Sequence, residues 1–463
     1  MAGTRYRIEV APTVYSPVNP LLEVYRACDS PPSETRKTLS AGIRYDVDAS
    51  TAGPVYLRLA DVDPQTGGST AGYAVSVRPI SIVTDDPAPA PDALILVAGR
   101  YRAGDEVQPN INQVAQAVYD YYLEMDYRAD QIYYLTTDST RNGYDGHPTL
   151  ENLEQAITAW APQVLGSDGA LTLYLIDHGN ADVLYLDNTG ERKHLLTAGQ
   201  LSAWLDELEA RIPNIKITII IEACNSGSFI EGADSISKDR TKRLVITSTN
   251  PENVAYASQH GAHFSDFFVA ALKQGYSLQN SFRSAFVVVQ ELSSDWEDRQ
   301  EPWIDANANG IANEEADITL LSRGIPGQHD HTPADEGAPR IVTAQLHRTS
   351  ETQQVTIDAT VSDDNQIKRV WAVIYPPSYQ PPTSSVELIP DPLRRVELQP
   401  VGANQVDEGS YVQFAGIVDT LTEAGQYRIA VYAEDEAGFT AVPRLLGINT
   451  TNTNQTYLPL ILQ

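Results

Sequence analysis

Three rhythms of apolar and polar residues follow one another along the chain, and each predicts a different kind of element. From residue 5 to about residue 80 the runs are short and alternating, as in Tyr6-Arg7-Ile8-Glu9-Val10, Val55-Tyr56-Leu57-Arg58-Leu59 and Tyr73-Ala74-Val75-Ser76-Val77. Gly, Pro, Asp or Ser bounds each run. Period-two alternation in runs this short marks half-buried antiparallel strands, so residues 1–84 are expected to form a β-sandwich-like domain. A Pro/Ala tract, Asp85-Asp86-Pro87-Ala88-Pro89-Ala90-Pro91, reads as a semi-rigid linker over 85–92.

Past the tract the rhythm changes. Ala93-Leu94-Ile95-Leu96-Val97-Ala98 is continuously apolar, the pattern of a strand buried on both faces. Ile111, Val114, Ala115, Val118, Tyr121 and Tyr122 then recur at helical spacing. Strands are expected at 131–136, 171–177, 216–222 and 243–248, with helices at 150–160, 197–209 and near 265–290. Thr197 and Gln200 form a capping box ahead of Leu201, Trp204, Leu205 and Leu208. Strands alternating with helices imply an α/β domain over 93–300, its mostly parallel sheet covered on both faces. The third rhythm runs from Arg340 and is again alternating, clearest in Val355-Thr356-Ile357-Asp358-Ala359-Thr360-Val361. Residues 339–449 read as an immunoglobulin-like sandwich of about 100 residues, after a linker at 321–338 and before a tail at 450–463.

A length of 463 residues is more than one core usually organises, in keeping with several domains. With 61 acidic against 32 basic residues the formal net charge is −29, which argues against nucleic acid and anionic membranes as partners. No run reaches the length of a membrane span, and the first residues show no signal-peptide pattern. Two cysteines, Cys28 and Cys224, cannot build a disulfide framework.

In open parallel sheets, functional groups collect just beyond the carboxyl ends of the strands. Two of the apolar runs end in reactive residues: Leu171–Ile176 leads into Asp177-His178-Gly179, and Lys216–Ile221 into Glu222-Ala223-Cys224-Asn225-Ser226-Gly227-Ser228. A right-handed crossover between them makes these strands neighbours or near neighbours. An imidazole and a thiol then share one rim, the requirement for a thiol nucleophile with its base. The backbone N–H groups of Gly179 and Cys224 are candidates for holding a developing oxyanion.

Those two motifs resemble the catalytic motifs of the legumain-like (C13, haemoglobinase) cysteine peptidases, within the larger group of caspases, clostripain and gingipains. Val97-Ala98-Gly99 resembles the family's opening, and the likeness spans roughly 93–292. It implies a caspase-like α/β/α sandwich and a Cys224–His178 dyad working through an acyl-enzyme on protein or peptide substrates. It also puts Glu222, Asn225, Ser248 and Asp266 around the pocket for the residue before the cut (P1). Legumains carry an Arg-His pair in the loop after the first strand. Here that loop reads Arg100-Tyr101-Arg102-Ala103-Gly104-Asp105-Glu106, so the P1 preference stays open between Asn/Asp and Arg/Lys.

Asp305, Asn307, Asn309, the Ile311 carbonyl and Asn313, with Gly310 at the sixth position, follow the spacing of a short calcium loop. The twelfth position is Ala316, and Asp317 next to it is the nearest following acid. A structural Ca2+ is the cofactor expected over 301–320; none is expected for catalysis. His260 and His263 are expected in a surface loop near the rim, and His329 and His331 in the linker. The expected setting is a secreted or surface-attached bacterial protein. A catalytically inert domain serving as a surface adhesion or binding module is the other reading.

Overall fold

In the computed structural model of the chain, residues 92–321 are described apart from 126, 168, 191, 259–260, 274–275 and 277. Before them only six strands are described, and after them residues 339–450 apart from 349–353, 364–365, 381–392, 407–408, 419–420 and 437–439. Both expected linkers except their end residues 92 and 321, together with Cys28, His260, His329, His331 and the tail from 451, lie outside the described residues. The chain divides into two compact units, one of 87–335 with 379–392, the other of 1–86, 336–378 and 393–463.

The first unit is the α/β domain that the buried runs predict. Its strands are β1 (Ala93–Ala98), β2 (Ile132–Thr136), β3 (Tyr144–Gly146), β4 (Ala170–Ile176), β5 (Lys216–Glu222), β6 (Arg243–Thr247) and β7 (Trp303–Asp305). They line up in the order β7-β6-β5-β4-β1-β2-β3, all parallel except β7 against β6. The order reverses between β1 and β4, which opens a crevice at their carboxyl ends.

Every residue of β1 and β4 is buried. Ile95, Val97, Leu173, Leu175, Ile219 and Ile221 pack on one face against Leu153, Ile157, Leu201, Leu205 and Leu208. Those last three belong to the helix Ala198–Arg211, whose capping box is formed as the sequence predicts: Thr197 Oγ1 accepts from Gln200 N at 3.2 Å, and Thr197 N donates to Gln200 Oε1 at 3.2 Å. The helix expected at 150–160 runs on to Val164 through a π-helical turn at Ala156–Trp160.

The opposite face meets α1 (Gln108–Glu124) and α2 (His263–Lys273), the second fixed by a 2.9 Å hydrogen bond between Tyr174 Oη and Ser265 Oγ. A sheet clad on both faces leaves only its strand ends for chemistry. Truncating a core residue such as Leu173 to Ala costs about 2–5 kcal/mol.

The second unit is antiparallel throughout its described strands. Seven strands between Arg340 and Thr450 form one sheet. The long strand Arg394–Val406 pairs with Ile367–Tyr375 in its first half and with Gly409–Val418 in its second, shifting register between Pro400 and Gly402. Val355, Ile357, Ala359 and Val361 share a core with Val370, Ala372, Ile374, Ile429, Val431 and Ala433, so the sheet folds its two halves face to face. The expected N-terminal strands also form, with two more that the alternation did not mark, Glu34–Lys37 and Ile43–Asp48: Arg5–Pro12 pairs with Ile43–Asp48 and Tyr73–Ile80, and Pro20–Tyr25 with Glu34–Lys37 and Tyr56–Asp61.

Candidate functional site

β4 and β5 are hydrogen-bonded neighbours, with Ile176 opposite Glu222. The residues that follow them, His178 and Cys224, therefore emerge side by side, and both line one cleft with Val107, Ile111, Tyr256 and Glu222. The turns that carry them need their glycines. A Cβ on Gly179 would lie 2.4 Å from the Cys224 carbonyl oxygen, and one on Gly227 would lie 2.7 Å from Pro251. Asn225 takes a left-handed backbone at φ 54° to turn the chain after Cys224, a conformation Asn tolerates better than most residues.

Cys224 is 2% exposed, and its thiol reaches the Ala255 carbonyl at 3.6 Å. Burial pushes the thiol up to about 11, and the negative potential of Glu222 adds to this. The sulfur is thus a neutral thiol at rest.

His178 is 3% exposed, and its Nε2 stands 2.8 Å from Asp105 Oδ2. Burial alone would raise the Asp105 carboxyl, but the His178 hydrogen bond and charge hold it below its usual value. An ionised Asp105 makes Nε2 the proton-bearing nitrogen and leaves Nδ1 as the free base. Asp105 is itself held by the entry to α1, where Val107 N donates to Oδ1 at 3.1 Å. Tyr101, from the same loop, packs its ring 5.2 Å from that of His178. The loop therefore supplies an orienting acid to the histidine, a role the sequence reading missed. The one signal available was an Asp just past the first buried strand, on the crevice side of the sheet.

Glu222 points to the floor of the cleft. Ser265 donates to Oε2 from its amide at 2.9 Å and its hydroxyl at 2.6 Å, while Oε1 is buried with no hydrogen-bond partner. Burial pushes this carboxyl up to about 7. Asp266, one residue past Ser265, accepts from the Ser258 hydroxyl, and burial pushes it up to about 8. Asp266 stands behind Gly261, which lines the cleft; among the described residues no Lys or Arg does so.

The other two expected pocket residues are placed as supports. Asn225 Nδ2 donates to the Pro251 carbonyl at 2.9 Å, and Ser248 Oγ accepts from Ala223 N at 3.1 Å. His263 is not a loop residue: it opens α2, is 2% exposed, and packs its ring 5.7 Å from that of Trp296. Burial lowers it to about 4, so it stays neutral within the fold.

Asp177, just before His178, is 5% exposed with neither carboxylate oxygen hydrogen-bonded. Burial raises it well above the carboxylate range. One ligand atom from each of Asp105, Asp177 and His178 falls within 4.8 Å of the others.

The segment expected to bind calcium is tied together by hydrogen bonds of its own. Asp305 Oδ1 accepts from Ala308 N at 2.8 Å, and Oδ2 from Gly310 N at 2.8 Å and Ser237 Oγ at 2.6 Å. Asp317 Oδ1 accepts from Ala306 N and Asn307 N, and Oδ2 from Glu314 N at 3.0 Å. Asn307 and Asn309 accept from the amides two residues on, and Asn313 from Ile304 N at 3.1 Å. Ile311 has an exposed side chain. The side-chain oxygens accept from the chain's own donors, and a cation there would share them through their second lone pairs.

The α/β domain thus carries a thiol and an imidazole on adjacent strand ends, lining one cleft. Residues 155–306, which include both motifs, match the peptidase C13 family. No curated protein matches the chain. Among solved structures, the chain is similar to caspase-1 from Spodoptera frugiperda, with 14% identity and a TM-score of 0.33, over 47% of this chain and 86% of that one. It is similar also to the protein GSU0716 from Geobacter sulfurreducens, with 14% identity and a TM-score of 0.33, over 50% of this chain and 97% of that one.

Proposed function

We propose that the chain is an endopeptidase in which Cys224 is the nucleophile, His178 the general acid and base, and Asp105 the residue that positions His178. The observation that carries this reading is the shared cleft: Cys224 and His178 line it together from adjacent strands within the segment matched to the peptidase C13 family. His178 Nδ1 takes the thiol proton as Sγ adds to the scissile carbonyl. The oxyanion is held by the N–H groups of Gly179 and Cys224. His178 then passes the proton to the leaving amine, and water hydrolyses the thioester. Because the resting thiol is held neutral by burial, the proton transfer follows substrate entry rather than preceding it.

The P1 residue is Arg or Lys in this reading. Val107, Ile111 and Val114 offer apolar walls for an alkyl stem, and Glu222 Oε1 waits beyond them without a donor. A cation arriving there satisfies the buried oxygen and favours ionisation of Glu222 and Asp266. An Asn or Asp side chain brings no such charge.

The test is labelling of wild type and Cys224→Ala with acyloxymethyl ketones bearing Arg, Lys, Asn or Asp. Labelling by the basic probes that vanishes in the variant is expected. Labelling of Cys224 by the Asn or Asp probes alone overturns the P1 assignment. Inertness to all four favours the reading as a binding module.

A further inference from the structure

Three ligand-type side chains meet at the carboxyl end of β4, and proteolysis employs only two of them. Asp105, Asp177 and His178 are all buried, with one ligand atom of each within 4.8 Å of the others. His178 Nε2 and Asp105 Oδ2 are already 2.8 Å apart. Asp177 is the unexplained member: a carboxyl 5% exposed, with no hydrogen-bond partner at either oxygen. Buried polar groups are nearly always partnered, so a doubly orphaned one invites a ligand. Asp177 and His178 both line the cleft that Cys224 lines, with Asp105 behind them.

We propose that Asp105, Asp177 and His178 form a binding site for a divalent ion of the zinc type, and that occupancy switches the peptidase off. One imidazole and two carboxylates are a zinc donor set, whereas calcium and magnesium require more oxygens. Tetrahedral zinc with bonds near 2.0–2.1 Å holds its ligands about 3.3 Å apart. The His178–Asp105 pair thus needs to open only slightly from 2.8 Å, while Asp177 closes in. A fourth position is left to water. A neutral imidazole that gives the Nε2 lone pair to the metal keeps its proton on Nδ1. Neither nitrogen then accepts the proton of the Cys224 thiol. No covalent bond changes, and a chelator reverses the block. The inhibition rests on the dyad reading above; the binding of the ion does not.

The experiment competes zinc between the full-length protein and a chromogenic zinc chelator, while hydrolysis of an arginyl peptide is followed in parallel. One tight equivalent is expected in wild type and unchanged in Cys224→Ala. Asp177→Asn, near-isosteric and checked by its melting curve, should bind at least about tenfold more weakly and need correspondingly more zinc for inhibition. A hundredfold excess of calcium should not compete. Wild-type affinity in Asp177→Asn overturns the site, and loss of binding in Cys224→Ala overturns it in favour of capture by the thiol. Should Asp177→Asn fail to fold, His178→Ala in the binding assay decides: unchanged affinity overturns the site. Tight binding with undiminished hydrolysis overturns the switch. Tight binding by a protein that hydrolyses no peptide when metal-free keeps the site and sinks the peptidase reading instead.

Discussion

Two loops of the α/β unit bring acids together, and they treat them in opposite ways. In the loop from Asp305 to Asp317 every carboxylate oxygen of those two residues accepts a hydrogen bond from the chain itself. At the rim beyond β4 and β5, Glu222 keeps one orphaned oxygen and Asp177 two. A satisfied acid contributes to the fold, since charge-assisted hydrogen bonds to backbone N–H groups are worth about 1.5–3 kcal/mol each. An unsatisfied buried acid costs stability and is kept where a ligand completes it. The first loop is therefore held as a turn by its own acids, while the rim leaves acids unsatisfied, although both show acids at motif spacing in the sequence.

The sharpest separation comes from side-chain removal. Cys224→Ala should abolish turnover, a loss of at least about 10³-fold in kcat, with the melting temperature little changed. Asp305→Ala should do the reverse. It leaves Ala308 N, Gly310 N and the Ser237 hydroxyl without their acceptor and should cost about 3 kcal/mol of stability, with kcat per folded molecule unchanged. Parallel melting curves and active-site titration check both. A Cys224→Ala protein that still cleaves would move the chemistry away from the rim.

Asp105→Asn is expected next in size. The amide keeps the shape but not the charge that fixes the His178 tautomer, so kcat should fall by about 10² or more with KM nearly constant. A KM effect alone would make Asp105 a substrate contact instead. This residue also marks where sequence reading ran out. β1, β4 and β5 were legible because an unbroken apolar run has few alternatives to a doubly buried strand, and His178 and Cys224 came with them. Thr197 and Gln200 were legible because a capping box is local. Asp105 meets His178 across 73 residues, a meeting fixed only when β4 pairs with β1. Nor do alternating runs at residues 5–80 and beyond 340 announce that both fall within one compact unit.

Glu222 and Asp266 give a pH signature of intermediate size. Their folded values, raised to about 7 and about 8, lie above those of the unfolded chain, so they stabilise the protein fully only below the unfolded values near 4. That contribution is lost progressively as pH rises from about 4 through 7 and 8. Ligand-free protein should lose melting temperature across this window, and Glu222→Gln should flatten the slope. Preference for an arginyl over an asparaginyl substrate should increase over the same interval, because the carboxylates become charged. A slope that persists in both Glu222→Gln and Asp266→Asn would assign it to other groups.

Calcium should produce the smallest effect. For Asp305, Asn307, Asn309 and Asn313 to bind it, their oxygens must share or surrender bonds to Ala308, Gly310, Ser237, Ile311 and Ile304. The gain from coordination is offset by those losses, and the amide oxygens of three asparagines bring no charge. Millimolar calcium is expected to move the melting temperature by no more than about 2 °C, below what 1 kcal/mol produces in a small domain. A shift of 10 °C or more, lost in Asp305→Asn, would mean that the loop rearranges around the ion. The contrast would then reverse in part, since the satisfied turn would itself be a site whose hydrogen bonds stand in for a metal.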